Sequence, residues 1–274
     1  MKKISYALVL AVMICALSPA GAEDGEELRL GDYLITFGFA DRTGGRLLAR
    51  ESVADPAQYT LAIGPYGKSL RIGYAGQHDE NSEQNTYRHT EGNFDNLPGN
   101  VYNAVNGQLV PGQTYALAVG GQLEKVLIEL IPPDDRLSEV TMDSIAELRI
   151  GMLKGREIQW SQLLCSTNDG GQVGLVLFKR NGDDMLFSIA YVKGGKTLFW
   201  DNPAKYDESS TWRVDMGDEP GSFEPLFLAH LDNGLVLTLA WGAPEGEAIV
   251  VLCEDNGRFI EREDYSYLRY WVPE

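Results

Sequence analysis

The sequence predicts a mainly β protein built from antiparallel hairpins, arranged as sandwich or barrel halves with one short helix. Three observations carry that expectation. Short apolar or alternating runs are separated by glycine-containing turns, the pattern of consecutive hairpins. Three of those turns are Asn-Gly, at Asn181-Gly182, Asn233-Gly234 and Asn256-Gly257, and Asn-Gly suits a type I′ turn because both central residues take positive φ. A single segment, after Pro132-Pro133, has the spacing of a helix.

The chain opens with Lys2 and Lys3, an apolar run at 6–17 and the small-residue sequence Ala20-Gly21-Ala22. That is the order of an export signal, with residues 1–22 removed and Glu23 as the mature start. The apolar run is shorter than the roughly 20 residues a spanning helix needs, so no membrane insertion is expected. Cys15 follows Met13-Ile14 rather than a small residue, which argues against a lipid anchor. The expected location is the periplasm or the extracellular space.

An N-terminal β-rich half is expected over 23–133. Runs at 33–39 and 46–49 flank Thr43-Gly44-Gly45, and runs at 59–63 and 70–74 flank Pro65-Tyr66-Gly67. A polar stretch over 76–100 is nearly empty of aliphatic residues and is expected to be a flexible loop, since little apolar surface offsets its ordering entropy. Strand pattern resumes at 114–119 and 126–131, and Pro132-Pro133-Asp134-Asp135 marks the boundary to a second half over 134–274.

The second half opens on Leu137, Val140, Ile145, Leu148 and Met152, spaced to share one helical face. Ser138 is a candidate cap and Gly151 or Gly155 a candidate end. Leu148, Ile150 and Met152 also alternate as a strand would. Hairpin strands then follow at 173–178 and 185–192, at 226–231 and 235–241, and at 248–253 and 258–260. The first two hairpins echo one another at a spacing of about 50 residues, in the range of propeller blades, so a five-bladed propeller is the alternative fold. The segment Cys253-Glu254-Asp255-Asn256-Gly257 resembles the Asp-containing hairpin turn of sialidase-type propellers. The terminal Thr-Trp of that turn is absent, and no site is implied.

The chain has 23 Lys and Arg against 40 Asp and Glu, a net charge of −17, and loss of the signal removes two lysines and no acid. Such a surface repels phosphates and anionic headgroups, which excludes nucleic acid and membrane surface as partners and serves solubility. In an oxidising compartment Cys165 and Cys253 are expected to form a disulfide, the alternative being two buried thiols. Both end an apolar strand before a turn.

Chemistry-bearing motifs are few. His78 and His89 lie among acids in the polar stretch without a recognisable metal spacing, and His230 sits in an apolar hairpin as a structural histidine would. No metal or cofactor is expected. Nucleophile-elbow, zincin and phosphate-loop patterns are absent from the sequence. The most specific cluster is Trp200, Asp201, Asn202, Tyr206, Trp212 and Arg213. Rings that stack on a sugar face, beside groups that bond its hydroxyls, are the ingredients of a glycan site; the structural alternative is ordinary aromatic use in strands. The resulting expectation is an exported binding or interaction protein with a glycan or protein partner. A carbohydrate-active hydrolase using a carboxylate pair is the alternative, recognisable by a cleft that holds two carboxylates, one of them desolvated.

Overall fold

The computed structural model describes residues 29–30, 33–121, 123–134, 140–265 and 267–271. The predicted export segment at 1–22 lies outside the described residues, as do Leu137 and Ser138.

The first half is a closed barrel. Strand β1 (Arg29–Leu30) pairs with β2 (Tyr33–Ala40). The barrel then uses β3 (Arg46–Ala49), β4 (Tyr59–Ile63), β5 (Ser69–His78), β6 (Gly99–Ala104) and β7 (Thr114–Val119). The hydrogen-bonded order β2-β3-β6-β5-β4-β7 returns to its start because β2 also pairs with β7, Ile35 opposite Ala118 and Phe39 opposite Thr114. Closure leaves these six strands no free edge. Alternation sorts the side chains: Leu47, Ala62, Tyr102 and Leu117 fill the interior, while Phe37, Leu61, Ile63 and Ala118 face outward. Gly38 is required on β2, since a Cβ there would sit 2.6 Å from the Leu48 carbonyl oxygen.

The second half is a sandwich. Its elements are β8 (Leu127–Ile128), β9 (Leu130–Ile131), α1 (Ser144–Lys154), β10 (Ile158–Thr167), β11 (Gln172–Phe178), β12 (Asp184–Lys193) and β13 (Lys196–Lys205), followed by β14 (Ser222–Leu231), β15 (Gly234–Ala243), β16 (Gly246–Asp255), β17 (Arg258–Glu261) and β18 (Tyr267–Tyr270). One sheet has the order β13-β12-β11-β10-β9, the other β17-β16-β15-β14-β8 with β18 also on β16. Leu175, Leu177 and Ile189 of the first sheet meet Leu228, Leu237 and Leu252 of the second. The opposite face of the second sheet, with Leu226, Phe227, Val236 and Ile249, packs on the outward residues of the barrel. Covered on both faces, β14 to β16 are apolar nearly throughout rather than alternating.

Several expectations meet the structure here. The strands form a barrel and two stacked sheets in place of propeller blades; the two echoing hairpins, β11–β12 and β14–β15, lie in facing sheets of one sandwich. Strands β8 and β9, ahead of Pro132-Pro133, already belong to the sandwich sheets. Positive φ at both central residues occurs at Asn256-Gly257, with 48° and 78°.

The helix forms, with Asp143 as its cap, the carboxylate accepting from the amides of Ile145 and Ala146 at 3.0 and 2.8 Å, and it ends at Gly155 in the left-handed conformation. Its buried side is Ala146 and Ile150, packed with Met142 on Val176 and Phe178. The predicted apolar face at Ile145, Leu148 and Met152 is therefore turned to solvent. Two apolar stripes share this helix, and the smaller one fits the sheet.

The 79–98 loop, expected to be flexible, is tied down. Phe94 and Leu97 are buried against Phe39, Leu48 and Val101 of the barrel wall. The Asn93 side chain donates to Asn85 Oδ1 and the Arg88 carbonyl, both at 2.9 Å, and accepts from the Thr86 amide at 3.3 Å. His89 donates its amide to the Tyr270 carbonyl at 2.8 Å. Asparagine bonds replace the aliphatic residues the segment lacks.

The predicted Cys165–Cys253 disulfide is not formed; both thiols are free. Cys165 lies in the sandwich core, whereas Cys253 packs on the barrel side of the six-stranded sheet. That sheet separates them, so no rotamer change brings the sulfurs to bonding distance. Burial pushes the Cys165 thiol up to about 12, away from the thiolate form that reacts.

Candidate functional site

The predicted Trp200-to-Arg213 cluster does not converge on one site. Trp200 is 7% exposed and sits edge-on to Phe187, Phe223 and Trp241 in the sandwich core. Asp201, the next residue along the strand, points to the opposite face, where it takes Lys154 Nζ at 2.6 Å and the Ser188 hydroxyl at 2.5 Å. Tyr206 is half-exposed under the Arg180 guanidinium. Trp212 stacks its edge on Phe187 and donates its indole N–H to the carbonyl of Asn202 at 3.1 Å, and Arg213 lies over Trp241. Strand alternation accounts for the separation: neighbours 200 and 201 cannot share a face. His230, expected within the apolar hairpin, is exposed.

What does converge lies where the barrel meets the sandwich. Beside it a cleft of about 550 Å³ opens in the sandwich half at the β15–β16 turn, lined by Met216, Phe223, Glu224, Glu247 and Trp271 among others. Its volume falls in the range of small-ligand sites. Glu224 on β14 is the cross-strand partner of Ala240, and Glu247 on β16 precedes Ile249 by two residues; Ala240 and Ile249 pack on the barrel, so both carboxylates share that side of the sheet. Consecutive residues at the entry to β7 then reach across from the barrel: Gln113 donates to Glu224 Oε2 at 3.0 Å, and the Thr114 hydroxyl donates to Glu247 Oε1. Each carboxylate is thus held by one oxygen. The other oxygen of each makes no hydrogen bond among the described residues.

Arg269 braces the site from β18, where it is the cross-strand partner of Glu247. Only 5% exposed, it donates to the Gly112 carbonyl at 2.7 Å, Thr114 Oγ1 at 2.8 Å, Glu247 Oε1 at 3.2 Å and the His89 carbonyl at 2.8 Å. Its guanidinium also covers the rings of Phe39 and Trp271. One side chain thereby joins barrel, loop and sandwich.

The electrostatics separate the two acids. Burial, reinforced by the charge of Glu247, raises the Glu224 carboxyl above its ordinary range against the opposing hydrogen bond from Gln113. Glu247 instead has Arg269 as a direct ion partner. Tyr66 lies close enough that burial and then the Glu224 charge raise its hydroxyl, and it is held at φ 57°, an uncommon backbone state for a non-glycine residue that recurs at functional sites.

A second groove of about 370 Å³ runs on the other side of the same turn, lined by Trp212, Arg213, Glu247, Leu268, Arg269 and Tyr270 among others. Of the sequence-predicted cluster, Trp212 and Arg213 line this second groove. Glu224, Glu247 and Arg269 carried no sequence signal, because they come from three strands and meet only through the β14-β15-β16-β18 pairing. Among the described residues no group of three His, Cys, Asp or Glu is placed to hold a metal. No protein-family model, curated protein or solved structure matches this chain.

Proposed function

We propose that the chain is an exported glycan-binding protein whose ligand enters the cleft beside the β15–β16 turn of the sandwich. The observation that carries the reading is the pair Glu224 and Glu247, each anchored by one oxygen at the wall of a 550 Å³ cleft that also holds the Trp271 ring. Two open acceptors suit the hydroxyls of a neutral or basic sugar, and an aromatic ring offers a face for the apolar side of a pyranose. Anionic ligands are disfavoured by the two carboxylates and by the net charge. Export rests on the sequence of residues 1–22.

A second reading, glycoside hydrolysis, is favoured by one specific feature: two carboxyls in one cleft whose environments differ, Glu224 desolvated and Glu247 paired with Arg269. That is the division between a proton donor and an anionic partner that glycoside cleavage uses.

Glycan-array binding by the parent protein and by Glu224→Gln tests both. The binding reading expects an array signal that Glu224→Gln weakens by about tenfold, the value of one charge-assisted hydrogen bond, with the bound glycan recovered intact. Recovery of shortened glycan from the parent and intact glycan from the variant selects hydrolysis. Absence of signal across neutral and basic sugars refutes both.

A further inference from the structure

Helix α1 presents an apolar ridge to solvent. Ile145, Leu148, Met152 and Leu153 are 79, 66, 75 and 58% exposed, and the first three recur at intervals that place them on one line along the helix. Against the ridge lies a groove of about 400 Å³, lined by Leu148, Gly151 and Met152 of the helix and by Gly155 and Ile158 just beyond its end. Leu148 and Met152 belong to ridge and groove alike, so a second helix packed antiparallel across them meets both.

Charge identifies what that second helix belongs to. Residues 140–205, which make up α1 and the sheet beneath it, hold eight Lys and Arg against seven Asp and Glu, whereas the rest of the chain holds fifteen against thirty-three. The net negative charge of the remainder opposes the approach of two copies. This layer is close to neutral, and its rim carries both signs: Arg149 and Arg156 spend their hydrogen bonds on backbone carbonyls, beside Glu147 and Glu157. A two-fold axis sets opposite signs of such a rim against each other. An anionic lipid surface is the poorer occupant, since the remaining molecule repels it.

We infer that this face is a homodimer interface, with α1 packed antiparallel against α1 of a second copy about a two-fold axis. Four large side chains at these exposures offer on the order of 500 Å² of apolar surface, a patch size that marks interaction sites on monomers. A standard interface takes about 800 Å² from each partner, and the mixed-charge rim supplies the difference.

Sedimentation velocity of the purified protein over a concentration series, with Leu148→Asp and Met152→Asp in parallel, tests the inference. The parent is expected to sediment as a dimer in the micromolar range, and either substitution to weaken the association at least a hundredfold. Thermal melting of the variants, extrapolated to low concentration, should match that of the parent monomer, because neither side chain contributes to the core. A parent that stays monomeric at hundreds of micromolar overturns the inference, and so does a dimer that both variants leave intact. A monomeric parent that co-floats with phosphatidylcholine vesicles through α1 would also overturn it, in favour of a membrane occupant.

Discussion

Replacing Arg269 with Met should be among the most damaging single changes this fold can receive outside its apolar cores. The side chain is 5% exposed and makes hydrogen bonds at 2.7 to 3.2 Å to Gly112, Thr114, Glu247 and the His89 carbonyl, so Met keeps much of the packing volume and none of the donors. The Glu247 side chain is 12% exposed and would retain only the Thr114 hydroxyl as a partner. Removing one member of a buried ion pair costs about 3–5 kcal/mol, most of it the uncompensated charge left behind. At about 2–4 °C per kcal/mol for a chain of this size, the melting temperature should fall by roughly 10 °C. Differential scanning calorimetry of Arg269→Met, Glu247→Gln and the double variant measures both the loss and its origin. If the stranded carboxylate is the cause, Glu247→Gln in the Arg269→Met background recovers part of the stability, and the two changes depart from additivity by about 1–3 kcal/mol. A fall of under 3 °C, or strict additivity, would refute the reasoning and leave Arg269 a peripheral contact.

Three further expectations follow from the same geometry. Burial, with Arg50 and Arg269 beside the ring, pushes His89 down to about 4; the unfolded state takes up its proton first, near pH 6.5, so this contribution to stability is intact above that pH and is lost as the pH falls towards 4. Urea titrations at several pH values should show this decline, and His89→Gln should flatten it. Glu224→Gln removes a carboxylate whose charged form is penalised by burial, so melting at pH 7 should be unchanged or higher even as ligand affinity drops; a loss of several degrees would mark Glu224 as structural. Denatured without reductant, the mature chain should titrate two thiols, Cys165 and Cys253, whereas none would mean that the disulfide forms after all.

What was legible in the sequence was local, and what was hidden depended on pairing between distant strands. Turn chemistry and apolar runs announced the hairpins, because a hairpin is specified within a dozen residues by its own turn and alternation. The closing of β2 on β7 and the stacking of two sheets over the barrel join segments far apart in the chain, and nothing in either segment alone records the partner. The same limit explains the site. Trp200 and Asp201 stood out because they are adjacent in sequence, yet adjacency on a strand guarantees opposite faces, and the structure divides them between the sandwich core and the α1 side. Glu224 and Glu247 are twenty-three positions apart with no motif around them, and only the crossing of β15 between their strands sets both on one face. The helix shows the complementary case. Its periodicity was readable, but two apolar stripes competed for the sheet, and the choice fell to the one whose small Ala146 and flanking Met142 fit against Gly174, where a Cβ would lie 2.3 Å from the Met142 sulfur. The larger stripe is left exposed by that fit. An acidic chain keeps four large apolar side chains in water only at a cost in solubility, and pairing that stripe with a second copy removes the cost at a face close to charge neutrality.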